Sequence, residues 1–410
     1  MITVATNPVF GTDDPGYSPE TTVSGPTVVT GTALVVVEGD GTVSYRETVR
    51  DEYWDVDPIT GSDDVIVSTV VNSPESLDCT NCVRQRIEQI DPETGARTVL
   101  YSEVTPGRRN TEWHDVDRIN ETHYLVADIV QQEVEIVDTS TDTTTWEWSA
   151  YTTLAPDSGG SFTGDWTHLN DVELVRDGRY VTASLRNHDR VIFVNRSSGR
   201  VNESLSLGAD DAHSTLYEQH NADYVPEERG GPALIVADSN NDRIVEFQRV
   251  DGTWTESWVW RDERLKWPRD ADRLPNGHTL VTDTNGNRVL QIDTRGTVVW
   301  SISTAIDVYE AERLSTPDES ANGEAAVELG LRSRTADPET PVEHAQSRVE
   351  SVLGPRIVNG LVWVTPRWMR IPESFTLLVS VLSALVLAGY ELAGRCSAAR
   401  RRLSSLRDDD

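Results

Sequence analysis

Three histidines and an arginine recur where a repeating chain would bring them together. Five stretches align with one another: DEYWDVDPI from Asp51, TEWHDVDRI from Thr111, WTHLNDVEL from Trp166, YEQHNADYV from Tyr217 and KWPRDADRL from Lys266. The alignment places Trp54, His114, Asn170, His220 and Arg269 at one position, and VYEAERL from Val308 adds Tyr309 as a sixth. His168 lies near the start of the third unit, two residues before Asn170. Histidines and an arginine around one pocket suit an anionic group whose charge is spread over several oxygens, as in phosphoryl or sulfuryl transfer. A neutral imidazole can take such a group covalently and hand it on, and a second imidazolium can protonate the leaving oxygen.

The elements that must position these side chains are short strands. Each unit runs into alternating apolar segments such as HYLVADIVQQEVEIVD, RYVTASLRNHDRVIFVN, ALIVADSNNDRIVEFQ and HTLVTDTNGNRVLQID, punctuated by Gly, Asp and Asn turns. Four short strands repeating about every 50 residues predict an all-β fold, a six-bladed β-propeller whose equivalent inner-strand residues converge on a central channel. The opening segment ALVVVEGDGTVSYRE resembles the outer pair RVLQIDTRGTVVWSI, so N-terminal strands are expected to close the last blade. Asp115, Asp117, Asp171, Asp223, Asp270 and Asp272 recur at fixed offsets and read as turn or interblade hydrogen-bond acceptors. Trp146, Trp148, Trp258, Trp260 and Trp300 fall in outer strands and read as packing groups.

Composition narrows the setting. The 410 residues carry 36 basic and 68 acidic side chains, a formal net charge of -32, which excludes nucleic acid as a default partner because a phosphate backbone would be repelled. Lys266 is the single lysine, and this pairing of acid excess with lysine depletion looks like the proteome of an extreme halophile. In molar salt the Debye length is roughly 3 Å, so crowded surface carboxylates are screened. Cys79 and Cys82 form a C-x-x-C that reads as a disulfide candidate or a pair of free thiols, and no second pair completes a structural zinc site.

The stretch FTLLVSVLSALVLAGYELAG, residues 375–394, is long enough to cross about 30 Å of hydrocarbon as a transmembrane helix. Arg395, Arg400, Arg401, Arg402 and Arg407 follow it, which points to a single-pass protein of the cell membrane with a cytoplasmic C-terminus and an extracellular body. The start, MITVATNPVFGTDDPG, shows neither a basic nor an apolar export region, so either an upstream start or a body kept inside is left open. Glycosylation sequons at Asn120, Asn195 and Asn202 favour the outside. The expected organisation is an irregular segment 1–29, a propeller 30–315, a linker or stalk 316–374, the helix 375–394 and a basic tail 395–410. A closed propeller needs no partner strand, and a monomer is expected.

The motifs DWTHLNDVE (Asp165 to Glu173), SLRNHD (Ser184 to Asp189), YEQHNADYV and EWHDVD resemble the arylsulfotransferase family of six-bladed propellers across roughly residues 30 to 315. The resemblance implies nucleotide-independent transfer of a sulfuryl group from a sulfate ester to an acceptor hydroxyl, phenol or glycan, without a cofactor. It implies that His220 carries the group as a sulfohistidine, that His168 and Arg186 bind sulfate oxygens, and that His114 serves the anion pocket or proton transfer. Asn170 would orient an imidazole or the substrate, while Arg269 is added from the repeat alignment alone. Unlike the soluble bacterial members with an added N-terminal β-domain, this chain ends in an apparent membrane anchor, which suits a membrane-proximal acceptor. Two other readings of the same residues are a non-catalytic extracellular binding or adhesion propeller and a three-histidine zinc or copper site, the latter opposed by the arginine in the pocket.

Overall fold

The computed structural model describes residues 25–335 apart from 74–80, 107–111, 163, 263, 305, 315, 317–319 and 321, together with Phe10, Gly11, Val23, residues 352–362 and positions 380, 383, 387 and 390. The chain divides into two compact units, Met1–Asp337 and Pro338–Asp410. The first is all-β and propeller-like. Four of its sheets are built on antiparallel meanders that start at Trp113–Arg118, Leu169–Val175, Ala222–Val225 and Pro268–Arg273. A fifth, eight-stranded sheet joins two such runs through one residue pair, Gly31 with Tyr53. One run is Glu52–Pro58 to Arg97–Pro106, and the other combines Val308–Arg313 with Thr27–Gly31, Leu34–Val37 and Val43–Glu47. Strands from the two ends of the repeat region therefore share a sheet.

The meanders form because β-rich segments alternate with residues that accept a left-handed backbone. Asp251 and Gly252, both at positive φ, form the two-residue turn between Arg243–Val250 and Thr253–Arg261, as a hairpin of this twist requires. The second and third strands of two meanders are joined by short 3-10 turns, Arg186–His188 and Ser239–Asn241, each closed by an Asp in the left-handed region, Asp189 and Asp242.

Burial is organised between sheets. One cluster packs Val191 and Phe193 against Leu234, Val245 and Phe247, another packs Ile244, Trp258 and Trp260 against Val281 and Leu290. A comparable cluster, Val28, Leu34 and Val36 against Tyr53, Val56 and Val67, lies between the two runs of the eight-stranded sheet. The outer-strand tryptophans do more than fill space. Trp146, Trp254, Trp260 and Trp300 each donate their indole N–H to a carbonyl of another sheet or its turns, at Arg196, Leu205, Gly296 and Gly39. A buried ring thus keeps its one polar atom satisfied while clasping a neighbour.

Three expectations meet the structure differently. The stretch read as the start of the linker packs on the body as far as Thr335. Ser320, Ala325 and Ala326 are buried, and Arg334–Thr335 pairs in parallel with Thr253–Arg261. The reason is local: Glu246, buried in the sheet, accepts the Ala326 N–H and ties the segment down. Strands of the body already lie inside the segment read as irregular: Phe10–Gly11 pairs with Val298–Thr304, and Thr27–Gly31 begins there as well. No helix among the described residues is long and apolar enough to cross a membrane. Residues 375–394, except Ser380, Ser383, Leu387 and Tyr390, lie outside the described residues, as does the tail 395–410. The second unit is described at the helix Pro355–Val362. Cys82 is disulfide-bonded, while Cys79 lies outside the described residues.

Candidate active site

The six aligned inner-strand positions share one irregularity. In five strand pairs the register shifts beside Trp54, His114, Asn170, Arg269 and Tyr309. At the sixth, Ala237 bonds to both His220 and Asn221, accepting one N–H and donating its own. A β-bulge places two successive side chains on the same side of a strand and re-aims them. The aligned residues consequently meet. Trp54 stacks on His114 with centroids 4.8 Å apart, and Tyr309 lies edge-on to both, at 4.8 and 5.4 Å. Arg269 sits over the Tyr309 ring at 4.6 Å and over Trp267 at 5.4 Å, and Trp267 is 5.7 Å from His220.

His168 stands two residues before its aligned position, with φ +48°, rather than at the position of His114 and His220. It still joins them, with ring centroids 5.2 Å from His114 and 6.5 Å from His220. Glu218 and Trp267 occupy the same offset in their own repeats and share the left-handed backbone. Arg186 reaches the group from the turn after the Tyr180–Leu185 strand, lying 6.0 Å from the Trp267 ring. Its guanidinium is paired with Glu218 at 3.1 Å and lies 3.8 Å from Asp165. Asn170 is fully buried and donates to the Gln219 carbonyl at 3.1 Å, while its Oδ1 accepts no hydrogen bond.

The protons of two imidazoles can be placed from their partners. Ser239 Oγ lies 2.7 Å from the Pro268 carbonyl, which can only accept, so the hydroxyl proton points there. The 2.7 Å contact between Ser239 Oγ and His220 Nδ1 must then run from Nδ1–H to the hydroxyl oxygen. In the neutral ring that leaves Nε2 with a lone pair, and Nε2 hydrogen-bonds no described residue. His168 Nδ1 faces the Asp165 carboxylate at 2.8 Å and is likewise the protonated nitrogen. His114 Nδ1 is 2.8 Å from the Tyr309 hydroxyl, whose ionisation burial pushes well above the ordinary phenol range.

Electrostatically the imidazoles are held neutral. Burial, followed by Arg269 and Arg186, keeps His220 well below its usual range. Burial, His168 and Arg269 do the same to His114. His168 is lowered to about 4 by burial and Arg186 against the opposing pull of Asp165. The expectation of an imidazolium acid is therefore corrected: positive charge here belongs to the two guanidiniums, which themselves discourage protonation of the rings. Glu52 is pushed up to about 7 by burial, Glu112 and Asp51 and drawn the other way by Arg269.

Ser239, Trp267, Asp165 and Glu218 were not singled out by sequence reasoning as site residues. A signal existed for Ser239: it follows the second strand of its meander, as Arg186 does in its own. Asn120, Asn195 and Asn202 all lie in turns or strand ends, and their side chains accept local backbone N–H groups or donate to Tyr180.

No protein-family model matches the chain, and no curated protein matches it in sequence. Solved structures that are similar include a protein of unknown function from Bacteroides caccae, at 10% identity and a TM-score of 0.48 over 70% of this chain and 98% of that one. A chain of a nidogen/laminin complex is similar at 9% identity and TM-score 0.49, over 71% of this chain and 99% of that one. The periplasmic gluconolactonase of Pseudomonas aeruginosa is similar at 13% identity and TM-score 0.45, over 70% of this chain and 98% of that one. None of these likenesses bears on activity.

Proposed function

We propose that the pocket ringed by Trp54, His114, His220, Arg269 and Tyr309 transfers a sulfuryl group from a sulfate ester to a hydroxyl acceptor through His220, as the arylsulfotransferase resemblance implies. The observation that carries this reading is the Ser239 hydrogen bond, which leaves His220 Nε2 as an unprotonated nucleophile on a ring that feels the charge of two guanidiniums. Nε2 attacks sulfur, an N–S bond forms and the ester S–O bond breaks. The leaving oxygen departs as an anion and takes a proton from water, and Nδ1–H stays on the ring, pointing at Ser239. The acceptor oxygen then attacks sulfur, the N–S bond breaks, and the acceptor gives up one proton, so the cycle balances.

Arg186 and Arg269 hold the sulfate oxygens, with His168 as a neutral neighbour oriented by Asp165. His114, paired with Tyr309, completes the wall of the pocket. The fold reading that goes with this takes the eight-stranded sheet as two blades, six in all, closed by the N-terminal strands. The apolar stretch 375–394 anchors the body at a membrane, facing a phenolic or glycan hydroxyl.

The test is sulfate transfer from an aryl sulfate to a phenol, measured on the full chain in molar salt and detergent. The wild type should turn over, and His220→Ala should lose at least about 1,000-fold in kcat. A wild type that is folded by circular dichroism yet silent across a panel of sulfate esters would leave a binding propeller instead.

A further inference from the structure

The turns that follow the second strands of the meanders repeat one device. Asp189 and Asp242 close two of these turns in the left-handed region, and each lends one oxygen to the chain just before the next ring residue. Asp189 Oδ1 accepts the Glu218 N–H at 2.8 Å, two residues before His220, and Asp242 Oδ1 accepts the Trp267 N–H at 2.9 Å, two before Arg269. Glu218 and Trp267 both need an anchor, since each holds a positive φ that a residue with a side chain adopts at a cost. The corresponding residues of two other meanders, Gln132 and Asn287, also have positive φ but are neutral.

The second oxygen of each aspartate meets a basic side chain, and the two differ in kind. Asp242 Oδ2 takes the ammonium of Lys266, the single lysine of the chain, at 3.0 Å. Asp189 Oδ2 takes His213 Nε2 at 3.2 Å. The slot that a permanent cation fills on the Arg269 side is thus filled on the His220 side by an imidazole, the side chain whose charge changes between pH 5 and 8. His213 lies in the connection between Leu207–Gly208 and Ala222–Val225, stacks on Tyr217 with centroids 4.0 Å apart, and has a half-exposed side chain. Asp211 also faces it, at 3.8 Å. Neighbouring Asp210 accepts the Gly159 N–H, and Arg243 bonds the Ser214 and Thr215 carbonyls while Asp238 and Glu256 balance its charge.

The pair leads inward. Asp189 is buried, which pushes its carboxyl up, while the Glu218 N–H and His213 pull it back down. Glu218, also buried, accepts at Oε2 from Arg186 at 3.1 Å and from Asn240 at 2.6 Å. A charged His213 therefore balances the carboxylate whose other oxygen fixes the backbone of Arg186's partner. A neutral His213 takes the cation away from that buried carboxylate and adds negative potential near Arg186. Salt screens this less than it would a surface pair, because the carboxylate is shielded from solvent ions. We propose that His213 is a pH-sensitive positioning residue that, when charged, holds Asp189 and through Glu218 keeps Arg186 ready for an oxyanion, and when neutral weakens oxyanion binding. This rests on Arg186 as a ligand of sulfate oxygens, not on His220 as the nucleophile.

The experiment titrates inorganic sulfate into the full chain in molar salt and detergent, by calorimetry at pH 5.5 and pH 8, and needs no turnover. Glu52, pushed up to about 7, titrates in the same window, so the wild type is compared with His213→Gln and His213→Arg. At pH 5.5 His213→Gln should bind sulfate about 3- to 5-fold more weakly than the wild type, while His213→Arg should match it. At pH 8 His213→Arg, which keeps its charge, should bind about 3-fold more tightly than the wild type. With Asp189→Asn added, the two substitutions should no longer differ. Equal binding by all three chains at both pH values would overturn the proposal. So would an equal loss in His213→Gln and His213→Arg, which would leave His213 a packing role alone, and so would a folded wild type that takes up no sulfate. The predicted pattern of sulfate binding in a chain that transfers no sulfate would uphold the role of His213 and strike the proposed reaction instead.

Discussion

At the scale of single residues, the account turns on where protons sit. Ser239 is a positioning residue: it fixes the His220 tautomer without touching substrate. Ser239→Ala should lower kcat by about 10- to 100-fold with little change in KM, and Ser239→Thr should restore most of it. An equal rise in KM, or no effect, would show that the hydroxyl does not set the nucleophile. The same residues predict a pH profile. Because His220 and His168 are depressed below 6.5, the unprotonated nucleophile persists as pH falls through that value. The acid limb of kcat/KM should lie clearly below pH 6.5, and a break at 6.5 would contradict the neutral ring. The stability sign follows. His168 binds its proton more weakly folded than unfolded, so its contribution is intact above 6.5 and is lost as pH falls from 6.5 towards about 4. His168→Gln should flatten the pH dependence of the melting temperature in that window.

At the scale of elements, two contacts govern how strands meet. Gly31 has φ +144°, and a Cβ there would sit 1.8 Å from the Asp307 carbonyl oxygen, at the junction of Thr27–Gly31 with Val308–Arg313. Gly31→Ala should cost about 2–4 kcal/mol, read from chemical denaturation, and a neutral result would mean that this junction does not close the sheet. Glu246 is fully buried, bonded to Arg273 and to the Ala326 N–H, so Glu246→Ala should cost about 3–5 kcal/mol by removing the carboxylate bonded to a buried guanidinium. Strand order was largely legible in the sequence, since alternation and Asp-Gly turns are local signals. The bulges were not, because a bulge is defined by the partner strand, and it is what turns an aligned residue such as Asn170 towards its neighbours. The packing of 320–335 was equally hidden, since a Ser- and Glu-rich stretch shows no apolar periodicity and is held by one buried carboxylate.

At the scale of the whole molecule, the repeat made His114, His220 and Arg269 readable as one group, because equivalent positions in a rotationally repeated fold converge. It could not show that convergence would silence the charge of the two histidines, which depends on burial and on how many cations share the pocket. The net charge of -32 bears on the entire fold. Self-repulsion among acidic surface groups grows as screening falls, so the melting temperature should drop steeply between molar and about 0.1 M salt. A melting temperature independent of salt would remove the halophilic reading of the composition.

The most direct test of the central claim is a single turnover of the full chain with an aryl sulfate in molar salt, quenched in milliseconds and read by intact mass and peptide mapping. The account predicts one SO₃ group, on His220, appearing and decaying at rates that match turnover, and absent in His220→Ala. Turnover with no mass added to the protein, or undiminished turnover by His220→Ala, would contradict it.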